Sequence, residues 1–225
     1  MTDLTGEIEV YIITNGRSTF SYCKQSVKNQ QDVRFRLSYH ENMKWIDANR
    51  KILDDCRSRF FIRVDDDMFL HPKAISFIWS VVKNAKNKVA LHQWRLWEPY
   101  SNKVCKGIKA YNTVVAQDIG FRPNEIGKID KNFTADAEKK GYKLRSYNDV
   151  IAVHACASLE EHLNYAKMRG EHHGQRFSKK KKWMEEKIGN FDMSLSEQYK
   201  ISHGNFIFDR NKERNTDFYR FLKNE

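Results

Sequence analysis

No apolar run in the chain is long enough to cross a bilayer. The longest, residues 74–82 (AISFIWSVV), is less than half the ~20 residues that a transmembrane helix needs. Residues 1–10 carry acidic side chains where a secretory leader has a positive start, so neither secretion nor membrane insertion is expected, and a cytoplasmic protein is. Cysteine is scarce: Cys23, Cys56, Cys105 and Cys156 stand far apart and form no CxxC pair. That excludes a zinc ribbon and a dense disulfide framework, and predicts reduced thiols. Internal repeats and low-complexity linkers are missing as well.

What is present belongs to a folded, basic protein. The 225 residues can bury a substantial core without staples, and 40% hydrophobic with 13% aromatic residues excludes a disordered chain. The net charge is +11, and residues 160–225, with 14 basic and 11 acidic side chains, hold the smaller part of it. The charge is therefore not a tail. One dense run, residues 179–182 followed by Trp183, reads either as phosphate contacts beside a stacking aromatic or as a solvated helix start.

Residues 9–14 (EVYIIT) end at Asn15-Gly16 and predict a buried strand running into a turn. A helix capped by Ser18 or Thr19 follows through Gln30, then a strand over residues 33–39 and a helix over residues 42–56. Residues 60–64 (FFIRV) form the next apolar strand, which stops at three aspartates. Pro72 then opens a helix to about Asn84, and residues 88–94 follow as a strand. The alternation predicts a mainly parallel sheet with helices on both faces and a ligand crevice at the carboxyl ends of its strands. Residues 98–122 lose the helical period, as a hairpin or an irregular loop would. After them come a turn and helix (129–141), two strands (142–145 and 150–154), and a helix (160–169) that opens a C-terminal helical region.

Asp65, Asp66 and Asp67 carry the chemistry. Three adjacent carboxylates raise one another's pKa unless a cation neutralises them, and a divalent metal is the simplest such cation. Strand alternation lets Asp65 and Asp67 share a face while Asp66 turns toward the backbone or a helix N-terminus. Oxygen-only ligands suit Mn²⁺ or Mg²⁺, which fill their shell with phosphate and water. The plainer reading is an acidic turn that caps the following helix.

With VYIITNGR, FFIRVDDDMFLHP, IDKNFTADAEKKGYKL and VIAVHACAS in this order, residues 8–160 resemble a GT-A glycosyltransferase of the family 2 type. The resemblance implies a GT-A nucleotide-sugar-binding domain over residues 1–159 and a helical extension over 160–225. It implies a metal-dependent, inverting transfer of sugar from a nucleotide-diphosphate sugar, with a UDP-sugar as the expected donor, to an acceptor hydroxyl. Thr14, Asn15, Gly16 and Arg17 would hold the base or phosphates. Asp65 would face the ribose, with Asp66 beside it in the donor-binding set, and Asp67 would hold the metal. His154, at the end of VIAVH, would complete the metal or diphosphate site, although a lone histidine is more often a core or surface residue. A carboxylate should remove the acceptor proton. Asp136 is the candidate from the segment that also contains Asp130, with Asp118 and Glu125 in reserve; as a bare residue it is equally an acid at a helix N-terminus.

Other functions use some of the same residues. A sugar nucleotidyltransferase shares such a sheet and metal but opens with a longer Gly-rich phosphate loop than NGRST. A non-catalytic nucleic-acid module accounts for Trp94, Trp97 and residues 179–182 but not for three gathered carboxylates. The acceptor reads as a saccharide, a lipid-linked sugar or a hydroxymethylated DNA base flipped from its stack. Residues 179–182 with Trp183 and the lysines of residues 101–109 are the expected DNA contacts. The same basic surface would suit peripheral contact with an anionic membrane.

Overall fold

The computed structural model describes residues 8–122, 129–168, 174–189 and 191–224. Its strands are β1 (Ile8–Thr14), β2 (Arg36–Glu41), β3 (Phe60–Asp65), β4 (Met68–Leu70), β5 (Val89–Glu98), β6 (Lys103–Asn112) and β7 (Lys143–His154). They form one sheet in the order β2-β1-β3-β6-β5-β7-β4. The pairs β1–β2, β1–β3 and β5–β7 are parallel and the other three antiparallel, so five strands run one way and β6 and β4 run against them. This is the mixed, mainly parallel α/β sheet that the alternation predicts.

The sequence period explains the two-sided core. Along β1, Ile8, Val10 and Ile12 enter one apolar layer while Tyr11 and Ile13 enter the other; along β3, Phe60, Ile62 and Val64 oppose Phe61 in the same way. The first layer is covered by α1 (Phe20–Lys28) and α3 (Ala74–Val82), the second by α2 (Trp45–Asp55), α4 (Thr113–Ile119) and α5 (Ile129–Lys139). Fully burying one such aliphatic or aromatic side chain stabilises the fold by ~1.5–3 kcal/mol. The one acid inside β1, Glu9, is 3% exposed and is satisfied by Tyr11, Arg36 and the N–H groups of Arg57 and Ser58.

One stretch settles an open sequence reading and another departs from its reading. Residues 98–122 contain the hairpin rather than a loop: a 3-10 turn at Pro99–Ser101 joins β5 to β6, a long interior strand. A β-bulge hides its period, because β6 spends Gly107 and Ile108 where β5 spends only Trp94. Residues 142–154 form one strand, not two. The irregular middle of β7 is held by Asn211, whose side-chain amide accepts from Val150 N–H at 2.9 Å and donates to Val150 C=O at 2.6 Å. β4, which the sequence reading leaves unassigned between the aspartates and Pro72, pairs with the end of β7.

Beyond β7 come α6 (Leu159–Met168), α7 (Gly174–Ile188), α8 (Leu195–Ser202), α9 (Asn205–Arg214) and α10 (Asp217–Lys223). Ile207 of α9 and Phe218 of α10 are buried in the first core layer. A third cluster joins Tyr100 and Cys156 to Met184 and Ile188 of α7, with Trp183 packed against it. Among the described residues no helix is long and apolar enough to cross a membrane, and none of the four cysteines forms a disulfide.

The bulge makes one test sharp. A Cβ added at Gly107 would lie 2.0 Å from Leu96 Cδ1 and 2.2 Å from its Cγ. Gly107→Ala should therefore destabilise by the ~1–3 kcal/mol typical of overpacking. Denaturant titration of Leu96→Ala/Gly107→Ala should show far less than the sum of the two single losses, and simple additivity would refute the contact.

Candidate functional site

β1, β3, β5 and β7 run in the same direction, and their carboxyl ends deliver Thr14, Asp65, Glu98 and His154. Asp66 and Asp67 follow directly on β3. Asp66 turns back to β1, as expected of the middle carboxylate: Thr14 Oγ1 donates to its Oδ2 at 2.7 Å and Asn15 N–H at 3.4 Å. Thr14 Oγ1 also accepts from Gly16 N–H at 3.0 Å. Gly16 has φ +77°, a left-handed turn that favours glycine and leads the chain into Arg17.

Arg17 lies inside the acidic cluster. Its Nη1 donates to Asp67 Oδ2 at 2.5 Å and is 3.6 Å from Asp66 Oδ1, while its Nε donates to Glu161 Oε1 on α6 at 3.3 Å. Ser18 reaches the same Glu161 at 2.7 Å. From the other side, His154 Nε2 lies 3.2 Å from Asp67 Oδ2 and its Nδ1 3.0 Å from Glu98 Oε1. Asp67 Oδ1 is buried with no hydrogen-bond partner among the described residues. An orphaned carboxylate oxygen among acids is what a cation would satisfy.

The charges divide sharply. Burial alone would raise Asp67, but His154 and then Arg17 hold its carboxyl well below the usual range. For His154 burial works downward, and the Asp67 carboxylate overcomes it and lifts the imidazole well above its ordinary value. Asp66 is pushed up to about 6, by burial first and by Asp67 next. Burial also raises Asp65, with Arg63 opposing it.

Behind Asp65 stands a second polar group. Arg63, 2% exposed, lies two residues earlier on β3 and therefore on the same face. Its guanidinium donates to Asn49 Oδ1 at 2.8 Å, pairs with Asp130 Oδ1 at 2.9 Å and lies 3.7 Å from Asp65 Oδ1. Lys109 Nζ holds the other Asp130 oxygen at 2.7 Å. Burial would raise Asp130, but Arg63 and then Lys109 keep it ionised, well below the usual carboxylate range.

The structure thus brings together Thr14, Asn15, Arg17, Asp65, Asp66, Asp67 and His154, and it does not bring Asp136 to them. The Asp136 carboxylate is clamped by Arg122 Nε at 2.5 Å and Nη2 at 3.0 Å, and that contact lowers its pKa. Six residues separate it from Asp130, about 1.7 helical turns, so the two point from different faces of α5. Asp118 is engaged by Lys140 and Tyr142, and Glu125 lies outside the described residues. Arg63 was legible in the sequence, as a cation in FFIRV two positions before an aspartate. Glu98 had no such signal, since only the strand order brings it to His154.

The residues proposed to meet nucleic acid are also redistributed. Trp94 and Trp97 are core residues, 0% and 5% exposed. Trp183 packs against the Tyr100 cluster, and Lys109 is spent on Asp130. Lys181 and Lys182 are exposed.

The sheet and its crowded carboxyl edge define a GT-A-like fold, and comparison with solved structures bears this out. The mannosyltransferase PcManGT from Pyrobaculum calidifontis, in complex with GDP-Man and Mn²⁺, superposes with a TM-score of 0.54 at 12% identity, over 92% of this chain and 75% of that one. S. aureus TarS 1-349 in complex with UDP-GlcNAc gives 0.51 at 12% identity, over 91% and 72%. Against a longer S. aureus TarS chain the score is 0.52 at 13% identity, and this chain spans 39% of its length. The sequence matches no protein-family model and no curated protein.

The raised Asp66 value predicts a pH dependence. Because the folded value of about 6 exceeds the ordinary 3.8, the folded state holds this proton more tightly. The stability Asp66 contributes is full below about pH 4 and is lost as pH rises through about 6. Thermal unfolding in metal-free buffer should show Asp66→Asn closing part of the gap between the two ends of that window. An unchanged gap would count against the assignment.

Proposed function

We propose that the protein is a metal-dependent glycosyltransferase that moves a sugar from a nucleotide-diphosphate sugar, in the first instance a UDP-sugar, to an acceptor hydroxyl. The observation that carries this reading is the orphaned, buried Oδ1 of Asp67, in a group of three aspartates at the shared carboxyl edge of β1, β3, β5 and β7. The likeness to structures solved with GDP-Man and Mn²⁺ and with UDP-GlcNAc supports it at the level of fold. Residues 1–159 form the donor-binding part of this proposal, and residues 160–225 the extension that faces the acceptor.

The residues present fit Mn²⁺ or Mg²⁺. Asp67, with His154 Nε2 beside it, would hold the ion in the DxD manner, and a bound divalent ion supplies electrostatic stabilisation of the leaving diphosphate. The chain's own side chains do the rest. Thr14, Asn15 and Gly16 form a turn whose backbone is fixed by Asp66, a rigid edge for the nucleotide. Asp65 faces the ribose. Arg17, which neutralises Asp67 in the free protein, would turn to the phosphate oxygens of a bound donor. In an inverting reaction the acceptor hydroxyl gives its proton to a carboxylate. Of the two acids on α5, Asp130 suits that role better by position, because it sits one guanidinium from Asp65, and it could take a proton only once the acceptor or donor draws Arg63 or Lys109 off one of its oxygens.

Calorimetry of the native protein with UDP should give tighter binding when Mn²⁺ is added, and Asp67→Asn should lose that gain. Equal affinity with and without metal would overturn the proposal. Asp130→Asn should cut turnover by ~10²–10⁴-fold while UDP binding persists, whereas Asp136→Ala should stay near native. The reverse pattern would restore Asp136 as the base.

The acceptor is tested directly by offering labelled UDP-sugar with a saccharide, a lipid-linked sugar or DNA containing hydroxymethylated bases. For DNA, the logarithm of affinity should fall against the logarithm of salt by ~0.9 per phosphate contacted, and label should appear on the base. Label on a saccharide or lipid alone would exclude DNA and leave the basic surface for an anionic membrane face.

A further inference from the structure

Glu98, Cys105 and His154 come from three neighbouring strands and meet on one face of the sheet. Leu96 of β5 lies opposite both Cys105 of β6 and Ala152 of β7. Two residues further along, Glu98 and His154 therefore share the face and level, and Cys105 is one diagonal step away. One carboxylate oxygen, the Cys105 Sγ and one histidine nitrogen all lie within 4.8 Å of one another. Bonds of ~2.0–2.3 Å to a tetrahedral ion would draw such atoms to about 3.3–3.8 Å, a small adjustment for side chains.

We infer that Glu98, Cys105 and His154 Nδ1 form a second metal site, selective for a soft divalent ion of the Zn²⁺ class and distinct from the oxygen-rich site at Asp67. The thiolate and imidazole set the selectivity, since Mn²⁺ and Mg²⁺ prefer oxygen ligands. The groups behind the ligands are already in place. Ser101 Oγ donates to Glu98 Oε2 at 2.9 Å, and His154 Nε2 points at Asp67 at 3.2 Å. A metal-bound histidine characteristically donates its other ring N–H to a carboxylate, which fixes the tautomer. Binding at three protein ligands leaves a fourth position for water, and both the Cys105 thiol proton and the Nδ1 proton of the His154 ring leave to solvent.

Sharing one imidazole makes the two sites antagonists. A metal on Nδ1 leaves the ring proton on Nε2, aimed at Asp67. A metal ligated by Nε2 on the Asp67 side leaves it on Nδ1, aimed at Glu98. One neutral ring serves one arrangement at a time, so a soft ion at Cys105 withdraws His154 from the metal proposed at Asp67.

Cobalt(II) is the probe, because a cobalt–thiolate bond gives an intense near-ultraviolet charge-transfer band. The native reduced protein, titrated without nucleotide, should develop that band at one equivalent, and Zn²⁺ should abolish it by displacement. Cys105→Ser should lose the band, and Glu98→Gln should weaken cobalt affinity by ~10-fold or more. Should either variant fail to fold, the native protein still gives an answer, because Zn²⁺ should protect Cys105 from alkylation as mapped by peptide mass. No band in the native protein, a band that survives Cys105→Ser, or alkylation of Cys105 unaffected by Zn²⁺ would each overturn the inference. These readings need no sugar transfer, so they fail or succeed independently of the proposed reaction. If both hold, Zn²⁺ should raise the Mn²⁺ concentration required for UDP binding, and Cys105→Ser should remove that effect.

Discussion

Gathering three carboxylates at the end of a buried strand is the constraint around which the rest of this protein is arranged. Left alone, Asp65, Asp66 and Asp67 would repel one another in a poorly solvated place, and at least one would take up a proton. The structure divides the difficulty. Asp66 is tied to the β1 turn by neutral donors and sits near the middle of its titration at mildly acidic pH, Asp67 is flanked by Arg17 and His154, and Asp65 leans on Arg63. Each counter-group comes from a different strand or turn, so the sheet order is what makes the cluster affordable.

How much of this was legible follows from the range of the signals. The β1–α1–β2–α2–β3 half could be read because its strands are continuous apolar runs and its helices keep a period. The interior position of β6 could not. KVCKGIKAYN has polar residues at strand positions and a bulge that breaks alternation, and its lysine at 109 is tolerated only because Asp130 arrives from α5. That the aspartates and His154 would meet in space was legible because both stand at strand ends of an α/β sheet. Asp136 drew attention for being acidic on the right helix, but a helix turns 100° per residue and segment resemblance does not say which acid faces inward. Glu98 and Cys105 had no local signature; they matter through neighbours on β7, fifty residues away in the chain.

The basic charge tells a parallel story about surface and core. Trp94 and Trp97, which as letters looked available for stacking, are interior, and Arg63 and Lys109 are absorbed by acids. What is left for a partner is exposed lysine on helices and the hairpin, Lys181 and Lys182 among them. Such groups attract phosphate or an anionic surface without reading it. Under the proposed reaction, selectivity for an acceptor would then fall to the carboxyl edge of the sheet, where the carboxylates and their counter-cations stand.

The bond pair from Asn211 to Val150 has a consequence for the evolution of such a chain. It replaces the ladder partners that β7 lacks at its irregular middle, four residues before His154, and it comes from a helix near the far end of the sequence. The terminal helices are therefore a splint on the strand that aims the imidazole. Recombination that exchanged them for another helical segment, however well packed, would have to carry an amide at that position or see the carboxyl edge of the sheet lose its alignment.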